Sequence, residues 1–344
     1  MDLTSVTERT TLLDPAGNRA EQVIEHRTDP LTGGVASINA ALGAKAKAFL
    51  GAADVALLTD LQERTRAGCP FCAAAEKGTR FLPPFAPEGQ LRLGDALAMP
   101  NLFSKCALDA VVIIDPASHV LFPSRISPKA LGDAIQASGE LVRRARRTDP
   151  ALVHHVAGMN FLQPGGSSVP HPHFQVHVRS VPYSGLARSL RAAAEFRARA
   201  GKPFFDALVD KERGGPRHLG RIGRTEWLAA FAPAHQKEIW GVLPGVASLA
   251  DVSAGDAEAL ATGISRTISF YEESGTHPFT FAFHSSPRSG GEGGDWALVV
   301  KLCARPAFTS LYSNYDTWFT PKFMGDDVHL EPPEAYAERL RAKF

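Results

Sequence analysis

The sequence lacks several features that would place it in a specialised class of protein. It has four cysteines in 344 residues, too few for the disulfide framework of a small secreted protein. Its net charge of +1 gives neither the basic surface of a nucleic-acid-binding protein nor an acidic tail. No apolar run approaches the ~18 residues of a membrane span, and the start MDLTSVTERT does not resemble a signal peptide. We therefore expect a cytoplasmic protein with no membrane or nucleic-acid partner.

The composition is that of an ordinary globular protein. Hydrophobic residues make up 44% of the chain and charged residues 21%, which is enough apolar material for a sizeable core. The length suggests about two domains, and we place the boundary between residues 183 and 184. No glycine-rich dinucleotide fingerprint follows a strand. Because strand-like segments outnumber possible parallel crossovers, the pattern favours an α+β fold with antiparallel sheets.

Hydrophobic periodicity and turn residues divide the chain into candidate elements. Helices are predicted at 36–66, 129–147, 186–200, 253–273 and 332–343. Strands are predicted at 110–115, 152–161, 169–178, 227–231, 240–243, 279–284 and 296–302. Residues 1–25 show neither pattern and are expected to be loosely structured.

Cys69-Pro-Phe-Cys72 supplies two thiolates on one turn, which is half of a tetrahedral zinc site. The same spacing also fits a redox pair, although no strand–helix pattern of the thioredoxin type surrounds it. The other two ligands of a metal site would come from elsewhere in the chain. His119 and His171 are the candidates, with a plain loop histidine as the alternative for His119.

The stretch Val169-Pro-His-Pro-His-Phe-Gln-Val-His-Val178 alternates polar and apolar residues. Successive side chains of a strand point to opposite faces. One face therefore carries His171, His173, Gln175 and His177. The other face is apolar and suits a protein core. A strand of this kind, buried on one side and lined with imidazoles on the other, is typical of an active site.

These residues resemble the galactose-1-phosphate uridylyltransferase family of the histidine-triad superfamily. The resemblance rests on segments in the same order: 26–33, 69–72, 100–103, 115–119, Asn160 and 168–175. Weaker similarity continues at 278–284, 321–324 and 337–341. It therefore covers the chain from about residue 26 to the end, and His-Pro-His-x-Gln with an upstream Cys-x-x-Cys is its specific part.

The resemblance implies a fold, a metal and an assembly. It implies two histidine-triad-like halves, residues 1–183 and 184–344, with mostly antiparallel sheets, in a homodimer. It further implies one structural zinc ion, bound by Cys69, Cys72, His119 and His171. Such a closed set of four protein ligands leaves no open position for substrate.

The resemblance also implies a reaction and its residues. His173 would be the nucleophile that takes up a nucleoside monophosphate, most simply UMP, from a nucleotide sugar and passes it to a sugar 1-phosphate. Related hydrolases carry a third histidine where this chain has Gln175, and an amide cannot hand over a proton. Ser168 matches a phosphate-contacting serine. The implied substrate-binding residues are Arg27, Asn101, Phe103, Asn160 and Lys322.

The chain departs from the family pattern in its second half. Some members bind a second metal, and His284 matches one of its ligands. Val299 and Lys301 stand where two histidines would be, and Ser189 falls near the position of a glutamate ligand. We therefore expect no second metal. The segment after residue 324 lacks the characteristic glutamate and glutamine of the sugar-binding loop, so the base and the sugar stay open.

Three functions are compatible with these residues. The first is a nucleotidyltransferase that works through a covalent nucleotidyl-histidine. The second is a phosphorylase or hydrolase of nucleotide sugars or dinucleoside polyphosphates. The third is a zinc-stabilised nucleotide-binding protein without catalysis. The nucleotidyltransferase is the leading hypothesis: Gln175 favours a transferase or phosphorylase over a hydrolase, and the intact His-x-His-x-Gln face disfavours a protein without catalysis.

Overall fold

The computed structural model describes residues 1–43, 52–288, 294–311 and 317–344. These residues form one sheet of ten strands and a smaller sheet of four. The strands of the large sheet are β4 (Leu91–Leu93), β5 (Ala96–Pro100), β6 (Leu108–Ile113), β7 (His154–Phe161), β8 (His173–Arg179), β9 (His218–Ile222), β10 (Thr225–Ala229), β11 (Ile239–Leu243), β12 (Phe279–His284) and β13 (Leu298–Ala304). The small sheet contains β1 (Thr4–Leu13), β2 (Arg19–Thr28), β3 (Val35–Ile38) and β14 (Asp327–His329).

The helices are interspersed with these strands along the chain, and the last one follows β14. They are α1 (Val55–Arg66), α2 (Ala74–Lys77), α3 (Pro128–Thr148), α4 (Ser184–Ala200), α5 (Phe204–Glu212), α6 (Ala254–Glu273) and α7 (Pro333–Arg341). A five-residue π-helical turn at Thr320–Met324 precedes β14. Within the described residues no helix is both long and apolar enough to cross a membrane.

The large sheet consists of two halves with the same connectivity. Its strand order is β4-β5-β6-β8-β7-β12-β13-β11-β10-β9. Counted inward from the two edges, β9-β10-β11-β13-β12 has the same order as β4-β5-β6-β8-β7. In each half the long helix follows the third strand, with α3 after β6 and α6 after β11. All the strand pairs of this sheet that the structure describes are antiparallel. The predicted α+β class with mostly antiparallel sheets is confirmed. The domain boundary at residue 184 stays a prediction.

The two halves meet where β7 pairs with β12. Asn160 lies opposite Thr280 and Gly158 opposite Ala282. A Cβ atom on Gly158 would lie 2.5 Å from the carbonyl oxygen of Phe281, so the close approach of the two backbones requires glycine at this position. The seam therefore joins the halves through a continuous hydrogen-bonded ladder.

One face of the large sheet is covered by the two long helices. Helix α3 starts at a Ser127 N-cap, whose side chain accepts from the Ala130 N–H, and has proline in its first turn. Helix α6 starts with a capping box formed by Ser253 and Asp256. Both pack their apolar sides on the fully buried aromatic side chains of the sheet, such as Phe174. This packing forms the main core and leaves the opposite face for the site.

On that opposite face the two halves differ. In the second half, α4 and α5 cover the sheet with an apolar cluster that includes Phe204, Phe205, Trp240 and Trp296. In the first half the face carries the histidines of β8 and is covered only in part. The space for a ligand is therefore in the first half.

Two predictions of secondary structure were wrong. Residues 1–25 are not loose, because β1 and β2 pair along their whole length from Thr4 opposite Thr28 to Leu13 opposite Arg19. The helix predicted at 36–66 is helical only in part: residues 42–43 are helical, residues 52–54 are not, and Val55–Arg66 is a helix that follows an Asp54 N-cap. The segment Val35–Ile38 is a strand between β2 and β14, and residues 44–51 lie outside the described residues. Pairing with distant strands overrides the local alanine-rich pattern here.

Candidate active site and metal centre

Four side chains form a cluster that can hold one metal ion. Cys69 and Cys72 lie on the turn between α1 and α2, His119 follows β6 and His171 precedes β8. One ligand atom from each lies within 4.8 Å of the others. The sequence-predicted ligand set is therefore brought together in space.

The distances within the cluster fit a tetrahedral ion. Tetrahedral bonds of about 2.3 Å to sulfur and about 2.0 Å to nitrogen set S···N separations of about 3.6 Å and an N···N separation of about 3.3 Å. The Sγ of Cys72 lies 3.6 Å from His119 Nδ1 and 3.5 Å from His171 Nδ1, and the two Nδ1 atoms are 3.2 Å apart. Cys69 Sγ lies 3.6 Å from His171 Nδ1. The four residues therefore fit a metal ion that prefers tetrahedral coordination by two sulfur and two nitrogen atoms.

Hydrogen bonds on the outer side of the cluster fix both imidazoles. His171 Nε2 lies 3.0 Å from the Asp115 carbonyl oxygen and donates to it. His119 Nε2 lies 3.0 Å from Thr65 Oγ1, whose own proton goes to the Leu61 carbonyl at 2.7 Å. Thr65 can then only accept from the ring. Both Nδ1 atoms are thereby left as lone-pair donors that face the cluster.

Burial acts in opposite ways on the two kinds of ligand, since it keeps the His171 imidazole unprotonated but keeps the Cys72 thiol protonated. It lowers the pKa of His171 to about 4, so the ring is neutral at physiological pH. Burial, followed by the neighbouring Cys69, raises the pKa of Cys72 to about 11. A metal ion must therefore displace protons from the thiols when it binds.

Replacing Thr65 with valine should weaken metal binding by roughly 10–100-fold, the usual effect of losing an outer hydrogen bond to a ligating histidine. Valine keeps the shape but cannot accept from His119 Nε2–H. Competition with a chromogenic chelator measures the affinity. Thr65→Ser retains the hydroxyl and should bind metal like the wild type; equal affinities for all three proteins would contradict the prediction.

His173 is the first residue of β8 and is held by the same structure. Its Nδ1–H donates to the carbonyl oxygen of His171 at 2.7 Å, which leaves Nε2 unprotonated. Burial lowers the pKa of His173, and the hydrogen bond to His171 opposes this shift. The ring of Phe71 packs edge-on at a centroid distance of 4.8 Å. The result is a neutral imidazole with a fixed tautomer and one free lone pair.

His173 lies in the wall of a cavity of about 1160 Å³. Six of the predicted catalytic and substrate-binding residues line it together with the metal-cluster residues Cys69 and Cys72: Asn101, Phe103, Asn160, Ser168, His173 and Gln175. Arg66, Lys77 and Lys105 add positive charge to the lining. The cavity therefore offers a nucleophile, amides, a hydroxyl and cations, a combination suited to a phosphorylated ligand.

The turn before Ser168 is held under backbone strain. Leu162 is buried and adopts φ 60° and ψ 168°, which a residue with a side chain rarely does. In this conformation its carbonyl accepts from the N–H groups of Gly165 and Ser167, both at 3.0 Å. Ser168, which follows this turn, lines the same cavity as His173.

The structure places two of the predicted substrate-binding residues elsewhere. Arg27 is buried, pairs with Glu25 and Glu334, and stacks 5.0 Å from the Phe231 ring centroid. Lys322 is exposed on the π-helical turn. Neither is found among the described residues that line the cavity. Their assignment to substrate stays a proposal.

In the second half, other side chains stand at the positions where some family members have ligands for a second metal. Val299 is part of the apolar cluster under α4 and α5. Lys301 places its ammonium 3.8 Å from the centroid of the Trp240 ring. Burial, followed by the charge of Lys301, lowers the pKa of His284 to about 3. In the described ranges the Cys₂His₂ set is the single metal-competent cluster of three or more such side chains. The expectation of no second metal stays a prediction.

Sequence reasoning did not anticipate two residues near the site. Thr65 lies four residues before Cys69, and nothing in its neighbourhood signals a role. Asp109 is a fully buried carboxylate at the start of an apolar strand, and a charge in that position was an available signal.

The fold is similar to that of solved uridylyltransferase structures, and the fold implied by the motifs is confirmed. An ADP-glucose phosphorylase from Arabidopsis thaliana, solved with bound ADP-glucose, has a TM-score of 0.70 at 16% identity over 92% of this chain and 98% of its own. A uridylyltransferase has a TM-score of 0.67 at 18% identity over 92% of this chain and 97% of its own. Among curated sequences, an uncharacterized protein from Archaeoglobus fulgidus is 29% identical over 332 residues, 94% of each chain. No family model matches the sequence.

Proposed function

We propose that the protein is a nucleotidyltransferase that works through a covalent nucleotidyl-His173 intermediate. The observation that carries this proposal is the hydrogen bond from His173 Nδ1–H to the His171 carbonyl. It ties the orientation of the nucleophile to the metal cluster and leaves Nε2 free in a cavity that also holds Ser168 and Gln175.

The reaction has two balanced displacements. Nε2 of His173 attacks the α-phosphorus of a nucleoside diphosphate sugar; an N–P bond forms as the bond to the bridging oxygen breaks, and sugar 1-phosphate leaves. A phosphate oxygen of an acceptor then attacks the same phosphorus and releases the histidine. Gln175 cannot donate a proton by titration, but its N–H can hold a phosphate oxygen. This favours an intermediate that waits for an acceptor over one that water removes.

The metal centre has a structural role in this proposal. A zinc ion held by Cys69, Cys72, His119 and His171 would be closed to substrate and would supply rigidity. His171 is both a ligand and the residue whose carbonyl orients His173. Loosening the cluster should therefore misplace the nucleophile.

We propose UMP as the transferred group and a sugar 1-phosphate as the acceptor, in a cytoplasmic homodimer. A phosphorylase is the second candidate, with inorganic phosphate as the acceptor and an adenylyl group as cargo. It is favoured by the altered sugar-binding segment after residue 324 and by the similarity to an ADP-glucose phosphorylase. Both candidates share the covalent step at His173.

Incubation with [α-³²P]UDP-glucose or [α-³²P]ADP-glucose without acceptor tests the proposal. We expect about one acid-labile label per active site, on His173, with the better donor. Galactose 1-phosphate or inorganic phosphate should then release the label as the corresponding nucleotide, and the effective acceptor separates transferase from phosphorylase. Steady release of free monophosphate, with no labelled protein, would show a hydrolase instead.

A further inference from the structure

The lining of the cavity carries positive charge without negative charge. Arg66, Lys77 and Lys105 line it, and among the described residues no aspartate or glutamate does. The whole chain has a net charge of only +1, so the cavity holds a concentration of cations that the rest of the protein offsets. A concave site lined by charge of one sign attracts ligands of the opposite sign.

Two of these three cations have no partner in the part of the chain that the structure describes. Lys105 pairs with the buried carboxylate of Asp109, with 3.1 Å between Nζ and Oδ2. Arg66 and Lys77 are exposed, and within the described residues they form neither an ion pair nor a side-chain hydrogen bond. Both side chains are therefore available to a ligand in the cavity.

The turn that carries the two thiols of the metal cluster also holds the backbones of Arg66 and Lys77. Arg66 ends α1, and its carbonyl oxygen accepts from the Cys69 N–H at 3.3 Å. Lys77 ends α2, and its N–H donates at 2.9 Å to the carbonyl of Ala73, the neighbour of Cys72. The two cations thus stand on either side of the metal-binding turn.

The end of α2 is packed closely against β5. A Cβ atom on Gly78 would lie 2.5 Å from the Ala74 carbonyl oxygen and 2.7 Å from Met99 Sδ, so this close approach requires glycine directly after Lys77. The side-chain amide of the buried Gln90 donates to the same Ala74 carbonyl at 2.8 Å. The backbone that carries Lys77 is therefore ordered before a ligand binds, which reduces the entropic cost of binding.

We propose that Arg66 and Lys77 form a phosphate clamp for the β-phosphate of the donor, the phosphate that leaves with the sugar. This inference rests on the proposed function for the reaction at the α-phosphorus. As Nε2 of His173 forms the N–P bond, the electron pair of the breaking P–O bond goes to the oxygen of the leaving phosphate. Cations held at that phosphate stabilise the developing negative charge. In the second displacement the phosphate clamp receives the acceptor's phosphate, so it selects an anionic acceptor over water or a sugar hydroxyl.

Calorimetric titration of the full-length protein tests this inference by comparing AMP and UMP with α,β-methylene-ADP and α,β-methylene-UDP, whose P–C–P bridge His173 cannot cleave. The wild type should bind each diphosphate about tenfold more tightly than the monophosphate of the same base. Arg66→Gln and Lys77→Gln should each raise the Kd of the diphosphates about tenfold, as expected for a lost charge-assisted hydrogen bond, and that of the monophosphates less than about twofold. Lys77→Arg keeps the charge and should retain most of the affinity. Labelling of His173 by the nucleotide sugar should slow about tenfold or more in both glutamine variants.

Arg64→Gln is the matched control. Arg64 also lies in the last turn of α1, but it pairs with Asp60 at 2.6 Å and is outside the described lining of the cavity. This variant should bind every ligand like the wild type. The inference is overturned by a wild type without preference for diphosphates, by equal weakening of monophosphates and diphosphates in the Arg66 and Lys77 variants, or by an equal loss in Arg64→Gln.

The labelling experiment separates this inference from the proposed function. If Arg66→Gln and Lys77→Gln label His173 at the wild-type rate, the phosphate clamp is rejected and the proposed function stands. If His173 takes up no label, but the preference for diphosphates still depends on Arg66 and Lys77, the proposed function is rejected and the phosphate clamp stands.

Discussion

Replacing His173 with alanine should eliminate covalent labelling and lower transfer by at least ~10³-fold, the order of loss seen when a nucleophile is removed. The structure gives the reason. The imidazole is neutral, its tautomer is fixed by the His171 carbonyl, and its free nitrogen lies in the cavity with Ser168 and Gln175. The described lining contains no second histidine that can replace it. The measurement is incorporation of ³²P from whichever of UDP-glucose and ADP-glucose labels the wild type, together with steady-state kcat.

His154→Ala is the matched control for this variant. His154 lies on β7 and points to the same face of the sheet, but it is outside the described lining of the cavity. It should label and turn over like the wild type. Thermal unfolding must show that His173→Ala is folded. A folded His173→Ala protein that still takes up label would refute the assignment of the nucleophile.

Replacing Cys69 with serine should remove close to one zinc per chain and lower the unfolding temperature by on the order of 10 °C. Serine cannot supply a soft thiolate, and three remaining ligands hold the ion poorly. Because His171 then loses its anchor, the carbonyl that orients His173 is released, and labelling should slow as well. Elemental analysis, calorimetric melting and the labelling rate measure the three effects.

Cys106→Ser is the control for the loss of a thiol. Cys106 lies outside the cluster and donates to the Leu108 carbonyl, a bond that a serine hydroxyl can also make. It should keep the metal, the melting temperature and the activity. Unchanged zinc content in Cys69→Ser would reject the ligand assignment, and loss of zinc with full stability would reject a structural role.

The parts of the fold that the sequence predicted are those with a local signature. The alternation of histidine with apolar residues predicts a strand at 169–178, and β8 forms from His173 onward, while residues 169–172 precede the strand. Helix α6 matches its prediction to within a residue because Ser253 and Asp256 are adjacent capping partners. The four metal-cluster residues were also predicted from their motifs, and the structure brings them together.

The parts that the sequence did not predict depend on partners far along the chain. Arg27 is predicted to bind substrate, and the sequence did not predict its pairing with Glu334, 307 residues away. Asn101 is predicted to bind substrate and lines the cavity, but the sequence did not predict that its amide donates to the buried Asp109 and accepts from the Phe103 N–H. Segment Val35–Ile38 is a strand only because β14 from the other end of the chain pairs with it. Local propensity contains none of this information.

The seam between β7 and β12 has a consequence for how the molecule can be divided. Each of these strands would be an open edge if its half stood alone, with a row of unpaired amides beside long apolar segments. In a half that is expressed separately, the strand that normally pairs with the other half would therefore be open to pairing with a second copy of the same fragment. Self-association in head-to-head pairs is the expected fate of such fragments, and the duplicated architecture persists as one chain because each half shields the other.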